Sequence, residues 1–277
     1  MRKNIESANN AIFKTALGLQ KKKQRESLSQ YMIEGPNLIR EALENRAELL
    51  RIFVRIDEEK RSPELEGLLN EIQRQGIDIY FLSRKLFEKL GETITPQGIL
   101  GVVKKPNYTE EDFFHPLSCQ ANGNMLVLDR LQDPGNLGTI LRTADAAGFQ
   151  GVILCKGTGD VFAPKVVRSA AGALFRLPLF FTNSAEETIS YLHKYEKRIL
   201  AATMQNSQVY YKVNLCGNIG LIIGNEGNGI CQELIDAADE TICIPMMKST
   251  ESLNAAVAAG ILIYETVRQR SLDNSEQ

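Results

Sequence analysis

MLVLDRLQDPGNLGTILR, residues 125–142, reads as a strand delivered into a helix through a polar turn. Met125-Leu126-Val127-Leu128 is an uninterrupted apolar run of strand length, the pattern of a strand covered on both faces. Asp129 to Asp133 is mostly polar, Pro134 and Gly135 fix a tight turn, and Asn136 is placed to cap the helix. Arg142 follows six residues later, under two helical turns on, and is expected to point back toward the same end. Further along, short apolar runs recur at Gly151–Leu154, Arg198–Ala202, Ile219–Ile223 and Thr241–Ile244, with helical stretches between them and a long helix over Ser252–Arg270. Strands alternating with helices predict an α/β fold with a parallel sheet, whose ligand-binding loops lie at the C-terminal ends of the strands.

Before this unit, residues 106–123 carry two prolines and the acidic triplet Glu110-Glu111-Asp112, with few periodic apolar positions. They read as a linker. Residues 26–105 form a smaller α/β sandwich: strands at Tyr31–Ile33, Leu49–Ile56, Ile77–Leu82 and Gly98–Lys104, and helices at Asn37–Asn45, Pro63–Arg74 and Ser83–Leu90. Residues 1–25 read as a basic helical extension, with an amphipathic helix over 1–20. The organisation is therefore 1–25, 26–105, 106–123 and 124–277.

Composition narrows the classes. With 277 residues, 43% hydrophobic and 24% charged, the chain is an ordinary globular protein of about two domains, and a disordered or collagen-like chain is excluded. No run of about 18 apolar residues suggests a membrane span, and the start Met1-Arg2-Lys3-Asn4-Ile5-Glu6 lacks the apolar core of a secretory signal. Five cysteines at 119, 155, 216, 231 and 243, with no CxxC, point to a reducing compartment, the cytoplasm, and to no metal site. The net charge is −2, but residues 1–25 hold seven Lys or Arg against one Glu, +6, which leaves −8 for the rest. The cluster Lys21-Lys22-Lys23-Gln24-Arg25 reads either as a solvated helix end or as a contact for a phosphate backbone.

Two more loops carry chemistry. Gly224-Asn225-Glu226-Gly227-Asn228-Gly229 follows the strand Ile219–Ile223. Its GxxGxG order is neither the dinucleotide fingerprint nor a P-loop, so a nicotinamide dehydrogenase is excluded. The third loop runs Ile244-Pro245-Met246-Met247-Lys248-Ser249-Thr250-Glu251-Ser252-Leu253-Asn254 into the long helix. Ser249 or Ser252 is expected as its N-cap, which leaves Asn254 inside the helix at a position of poor propensity.

The phrases DPGNLGTILRTADAAGF (133–149), LIIGNEGNGI (221–230) and IPMMKSTESLNAAVA (244–258), with PKVVRSAAGALFRLP (164–178) between the first two, together resemble the SpoU/TrmH branch of the SPOUT methyltransferases. The resemblance covers Met125 to about Arg268. It implies an S-adenosylmethionine-dependent ribose 2′-O-methyltransferase of RNA, with 23S ribosomal RNA the expected substrate. It also implies a sheet whose C-terminal segment threads a deep trefoil knot, and a homodimer with each site built from both subunits. The first unit resembles the family's L30e-like RNA-binding domain. Carried over by position, Asn136 and Arg142 match the first motif, Glu226 the second, and Ser252 and Asn254 the third, close to methyl transfer. Gly224, Ile244 and Leu253 match positions whose backbone contacts the cofactor. Lys248 stands where glycine is more usual, and Ala255-Ala256 replaces Val-Ser.

The resemblance makes Arg142 the proton acceptor, which is chemically awkward, because a guanidinium has a pKa above about 12 and no lone pair to offer. Arg142 either has its pKa moved by a phosphate or dimer contact, or orients the ribose and stabilises developing alkoxide charge. A 2′-hydroxyl target requires RNA rather than DNA. Two alternatives stand beside the ribosomal reading: a tRNA 2′-O-methyltransferase, and a non-catalytic RNA-binding or ribosome-assembly factor. His115 and His193 receive no role, and Tyr210-Tyr211 reads as core or interface packing rather than base stacking.

Overall fold

A computed structural model of the chain describes residues 2–56, 62–91, 97–118, 123–247 and 252–273. The chain divides into two compact units, one comprising residues 1–106 with 160–175 and the other residues 107–159 with 176–277.

The first unit holds strands β1 (Arg2–Ile5), β2 (Gln30–Glu34), β3 (Leu49–Arg55), β4 (Asp78–Leu82) and β5 (Ile99–Lys104) in the order β1-β4-β3-β5-β2. β1 and β3 run parallel to β4, whereas β5 pairs antiparallel with β3 and β2. Helices α1 (Ala11–Gly18), α2 (Lys22–Leu28), α3 (Pro36–Glu44), α4 (Pro63–Arg74) and α5 (Arg84–Leu90) cover it. The expected strands and the helices α3 to α5 lie within a residue or two of their predicted places.

The basic extension does not. Residues 2–5 form an edge strand rather than a helix, because Arg2, Lys3 and Asn4 face solvent while Ile5 reaches the core. Phe13, Ala16 and Leu19 are buried in the same core as Phe53, Phe87 and Leu100, so residues 1–25 are part of the unit. Several of the cations have partners in the chain. Arg2 pairs with Glu66, Lys3 with Asp78 and Lys22 with Glu26. Arg25 is 4% exposed and donates from Nε and Nη2 to Asp160 and from Nη1 to the carbonyls of Leu19 and Gln20. Lys14, Lys21 and Lys23 remain exposed without an ion pair among the described residues.

Residues 160–175, expected inside the second unit, contain α8 (Pro164–Ser169) and pack on the first. The Tyr31 and Phe162 rings lie 4.9 Å apart, and the Lys105 ammonium sits 4.7 Å from the Phe162 ring centre.

The second unit is a parallel sheet of seven strands among the described residues: β6 (Met125–Leu128), β7 (Gly151–Leu154), β8 (Leu179–Phe181), β9 (Arg198–Ala202), β10 (Gln208–Val209), β11 (Ile219–Ile223) and β12 (Glu240–Cys243). Their order is β10-β12-β9-β11-β6-β7-β8. The chain leaves β6 outward through β7 and β8, then crosses to β9 and returns to insert β11 beside β6. The order therefore reverses at the β6–β11 boundary, the kind of place where ligands collect in open parallel sheets.

Helices α7 (Pro134–Ala146), α9 (Ala185–Lys194), α10 (Gln232–Asp236) and α11 (Ala255–Asp273) connect or follow these strands, and α11 packs along α7. Arg270 donates to the Ala147 carbonyl at the end of α7. The segment read as a linker forms α6 (Glu110–Ser118). Its acidic triplet occupies the first turn, where the helix dipole favours negative charge. Phe113 and Phe114 are buried, and Gly151 leaves room for the Phe113 ring. Burying two phenylalanines stabilises by several kcal/mol on an order-of-magnitude basis, which fixes α6 in this unit.

Candidate active site

Three loops meet at the C-terminal ends of β6, β11 and β12. In the first, Asp133 rather than Asn136 caps α7: the Asp133 carboxylate accepts from the Asn136 N–H at 2.8 Å, and Pro134 takes the first helical position. Asn136 lies one turn inside, and its side chain, 9% exposed, is thereby left to bond the other two loops. Its Nδ2 donates to Glu226 Oε1 at 3.1 Å, and its Oδ1 accepts from Asn254 Nδ2 at 2.9 Å.

The second loop presents Glu226 through a turn held by Asn225. The Asn225 Oδ1 accepts from the N–H groups of Gly227 and Asn228 at 3.0 and 2.9 Å. Asn225 and Gly229 bond each other's backbone, closing the loop. A Cβ on Gly224 would lie 2.3 Å from the Gly229 carbonyl carbon, so only glycine permits this closure. The Glu226 carboxylate also accepts from the backbone N–H groups of Gln132 and Asp133 at 3.2 and 3.1 Å. Burial pushes its pKa up, but the Asn136 amide and these backbone donors outweigh burial and hold it below the ordinary glutamate value. Glu226 is thus a carboxylate that ties the first loop to the second.

In the third loop Asn254 is itself the N-cap of α11, accepting at Oδ1 from the N–H groups of Ala256 and Val257 at 2.9 and 3.2 Å. That removes the objection to asparagine inside a helix, and corrects the expectation that Ser252 caps it. Lys248 and Ser249 lie outside the described residues, as does Cys119.

The result is one hydrogen-bonded chain, Glu226–Asn136–Asn254, joining residues 90 and 118 positions apart in sequence. It stands beside a cavity of about 400 Å³, whose lining includes Gly224, Glu226, Ile244, Ser252 and Leu253 with an apolar floor of Ile223, Ile242 and Leu262. Seven of the eight expected site residues are therefore at this chain or this cavity. Arg142 is not. It is exposed and makes no hydrogen bond or ion pair among the described residues. Six helical residues advance about 9 Å and turn through about 240°, so it faces another side of α7 than Asn136.

Motif spacing does not single out Asp129, Arg130 and Asn225. Buried Asp129 accepts from the Cys231 N–H at 2.8 Å, and Asn225 Nδ2 donates to the Arg130 carbonyl at 2.8 Å. Polar residues flanking a strand end were the only signal. Cys155 is buried, and burial pushes its thiol up to about 11, so it is no nucleophile. Among the described residues no group of three or more His, Cys, Asp or Glu is placed to hold a metal ion. His193 is a last-turn residue of α9, and the His115 side chain lies outside the described residues. Tyr211 is 53% exposed and meets Tyr210 edge-on, so that pair is not core.

The SpoU rRNA methylase family profile matches residues 123–264, and the RNA 2′-O ribose methyltransferase substrate-binding profile matches residues 32–109. The chain is 37% identical to the 23S rRNA (guanosine(2553)-2′-O)-methyltransferase RlmP of Bacillus subtilis, over 95% of this chain and 98% of that one. It resembles the AdoMet-bound rRNA methyltransferase of Sinorhizobium meliloti with a TM-score of 0.87 at 29% identity, covering 96% of this chain and 98% of that one. The cofactor complex of the SpoU methyltransferase AviRb from Streptomyces viridochromogenes gives 0.85 at 27% identity, covering 95% and 99%.

Proposed function

The chain belongs to the SpoU rRNA methylase family, and from that premise we propose that it transfers a methyl group from S-adenosylmethionine to the 2′-oxygen of a ribose in 23S ribosomal RNA. The observation that carries this reading is the Glu226–Asn136–Asn254 chain, whose Glu226 lines the cavity. It binds all three loops into one frame at the sheet's switch point.

The cavity fits the cofactor. Its apolar floor suits an adenosyl group, and the Glu226 carboxylate complements a positive charge. Gly224, Ile244 and Leu253 would hold the ligand. Bound there, S-adenosylmethionine supplies an already activated sulfonium methyl. The protein's task is then to place the 2′-oxygen in line and exclude water, and positioning of that kind contributes several kcal/mol. Asn136 and Asn254 fix the loops that frame the ribose, and the Ser252 hydroxyl at the cavity wall supplies a hydrogen-bond partner for it. Arg142 lies on another side of α7 than Asn136, so we assign it the electrostatic part at the partner subunit's site in the homodimer, where its guanidinium would orient the ribose and stabilise negative charge developing on the oxygen. The 2′-hydroxyl gives its proton to water as the oxygen takes the methyl group, so the charge the guanidinium meets is negative.

RNA binding is assigned to residues 26–105, most of which fall within the substrate-binding match at 32–109, aided by exposed Lys14, Lys21 and Lys23. The homodimer reading is supported by exposed apolar residues on and just before α11: Leu253, Val257 and Tyr264. No described helix is long and apolar enough to cross a membrane. The described cysteines are free thiols, which agrees with work in the cytoplasm. The reversal of strand order around β11, with α11 returning along α7, supports the trefoil knot.

The test is transfer of labelled methyl groups to unmodified 23S rRNA and to tRNA, with the product mapped. Label on a 2′-oxygen of 23S rRNA is expected; label in tRNA alone, or none despite cofactor binding, defeats the substrate assignment. Arg142→Ala is expected to abolish transfer while leaving cofactor affinity within about threefold. Loss of cofactor binding would instead make Arg142 structural.

A further inference from the structure

Arg130 adopts a left-handed backbone, φ 56°, which an L-residue with a side chain occupies only at a cost. Contacts on both its backbone and its side chain hold it there. Its N–H donates to Thr158 Oγ1 at 3.1 Å, and that hydroxyl in turn donates to the Leu128 carbonyl. Its carbonyl accepts from Asn225 Nδ2. Its guanidinium makes a two-point pair with Asp129, 2.9 Å at each contact, and Nη2 reaches the Gly229 carbonyl at 3.4 Å. Asp129 is 2% exposed, so its charge needs this partner. A Cβ on Gly157 would lie 3.1 Å from Arg130 Cγ, so the glycine there makes room for the side chain's stem. All of these groups lie within the second unit.

The left-handed turn aims the Arg130 carbonyl at Asn225, and Asn225 is the residue that shapes the turn presenting Glu226. The guanidinium spans from the end of β6 to Gly229, on the opposite limb of the same loop. Both limbs of the 224–230 wall of the cavity are thus tied to one residue outside it. We propose that Arg130 is a positioning residue that locks the 224–230 loop in the shape that accepts S-adenosylmethionine. The proposal rests on the reading of that cavity as the cofactor site. Arg130 acts on cofactor affinity through the loop and takes no part in the transfer itself.

The test uses the full chain and three forms: wild type, Arg130→Gly and Arg130→Lys. Glycine keeps the left-handed backbone without strain but removes the guanidinium, so the only cost to folding is the lost partner of Asp129, and binding is measured below the melting temperature of each form. Arg130→Gly is expected to weaken S-adenosylmethionine binding by calorimetry about tenfold. In the ligand-free protein it is expected to lose amide-exchange protection at Gly227, Asn228 and Gly229. The melting temperature is expected to fall with the loss of Asp129's partner, while turnover at saturating cofactor, measured below it, is expected to stay within about threefold. Arg130→Lys, which keeps a point charge for Asp129 but not the fork, falls between the two. Unchanged affinity and unchanged exchange in Arg130→Gly overturn the proposal, as does lost turnover with unchanged affinity. Failure of the wild type to bind the cofactor would instead sink the cofactor reading, and the exchange comparison would still report on the lock.

Discussion

A methyl group at position 224 would have to share space with the backbone of Gly229 and Ile230, at 2.3 and 2.4 Å. Backbone cannot rotate away as a side chain can, so the Asn225–Gly229 closure must open. Gly224→Ala is therefore expected to lower cofactor affinity at least about tenfold by calorimetry, a cost of at least about 1.4 kcal/mol. An alanine variant binding like the wild type would show that the closed loop is not needed. Asn136 offers a sharper test, because it donates to Glu226 and accepts from Asn254 at once. Asn136→Asp sets a carboxylate against a carboxylate and is expected to reduce methyl transfer about a hundredfold. Adding Glu226→Gln restores a donor opposite the new aspartate and should recover part of that loss. The cycle should show a coupling of about 1–2 kcal/mol, and strict additivity would mean the two side chains act separately. The motif resemblance brought Asn136, Glu226 and Asn254 onto one list, but no spacing rule shows that Asn136 touches both others. The partners lie on different strands' loops, and only the strand order makes them neighbours. Asn136 is a good cap by residue type, but Asp133, three residues earlier, takes the cap and leaves the Asn136 amide to bond Glu226 and Asn254.

At the scale of elements, the buried parallel strands were the readable ones. β6, β7, β9 and β11 are covered on both faces, so each shows as a bare apolar run. β1, β8 and β10 are short edge or near-edge strands with exposed positions, and nothing in their sequence separates them from loop. The acidic triplet of α6 reads as solvated loop until Phe113 and Phe114 are seen in the core. The start of β9 hides a further feature, Lys197, which is 4% exposed. It donates to the Gly123 carbonyl before β6 and to Asn218 Oδ1 before β11, so it ties the entrances of three adjacent strands. Burial, with no carboxylate to offset it, lowers its pKa to about 8. Below pH 8 folded and unfolded chains both carry the proton, and the folded state bears the full cost of the buried charge. Between about pH 8 and 10.5 the unfolded chain still holds a proton that the folded chain has shed, so stability rises with pH across that window. Relative to Lys197→Met, the wild type should gain about 2 kcal/mol between about pH 7.5 and 9.5 in urea melts. Parallel pH profiles for the two proteins would mean the lysine is solvated.

The whole molecule poses a question that neither a residue nor a strand answers, namely what covers α11. Leu253, Val257 and Tyr264 are 37%, 52% and 50% exposed. Positions 257 and 264 are seven apart, a spacing that returns a helix to nearly the same face. Leu253, just before the Asn254 cap, precedes Val257 by four residues, and Gly260, with nothing within 4 Å of a Cβ built on it, lies between Val257 and Tyr264. The result is an apolar stripe interrupted by a glycine that allows another backbone to come close, on the helix that begins at the Asn254 cap. A monomer has no use for such a stripe, whereas a twofold partner would cover it and hold the third loop of each site in place. The protein is therefore expected to sediment at about 62 kDa, twice the 30.9 kDa of one chain. Val257→Glu and Tyr264→Glu together should give a folded monomer. Val257 lies in the first helical turn, where negative charge is favourable, and Tyr264 already meets solvent. Loss of methyl transfer with the dimer would show that each site needs both chains. Full activity in the monomeric variant would confine the site to one chain, and a wild type that sediments as a monomer would leave the stripe for the RNA or for another protein.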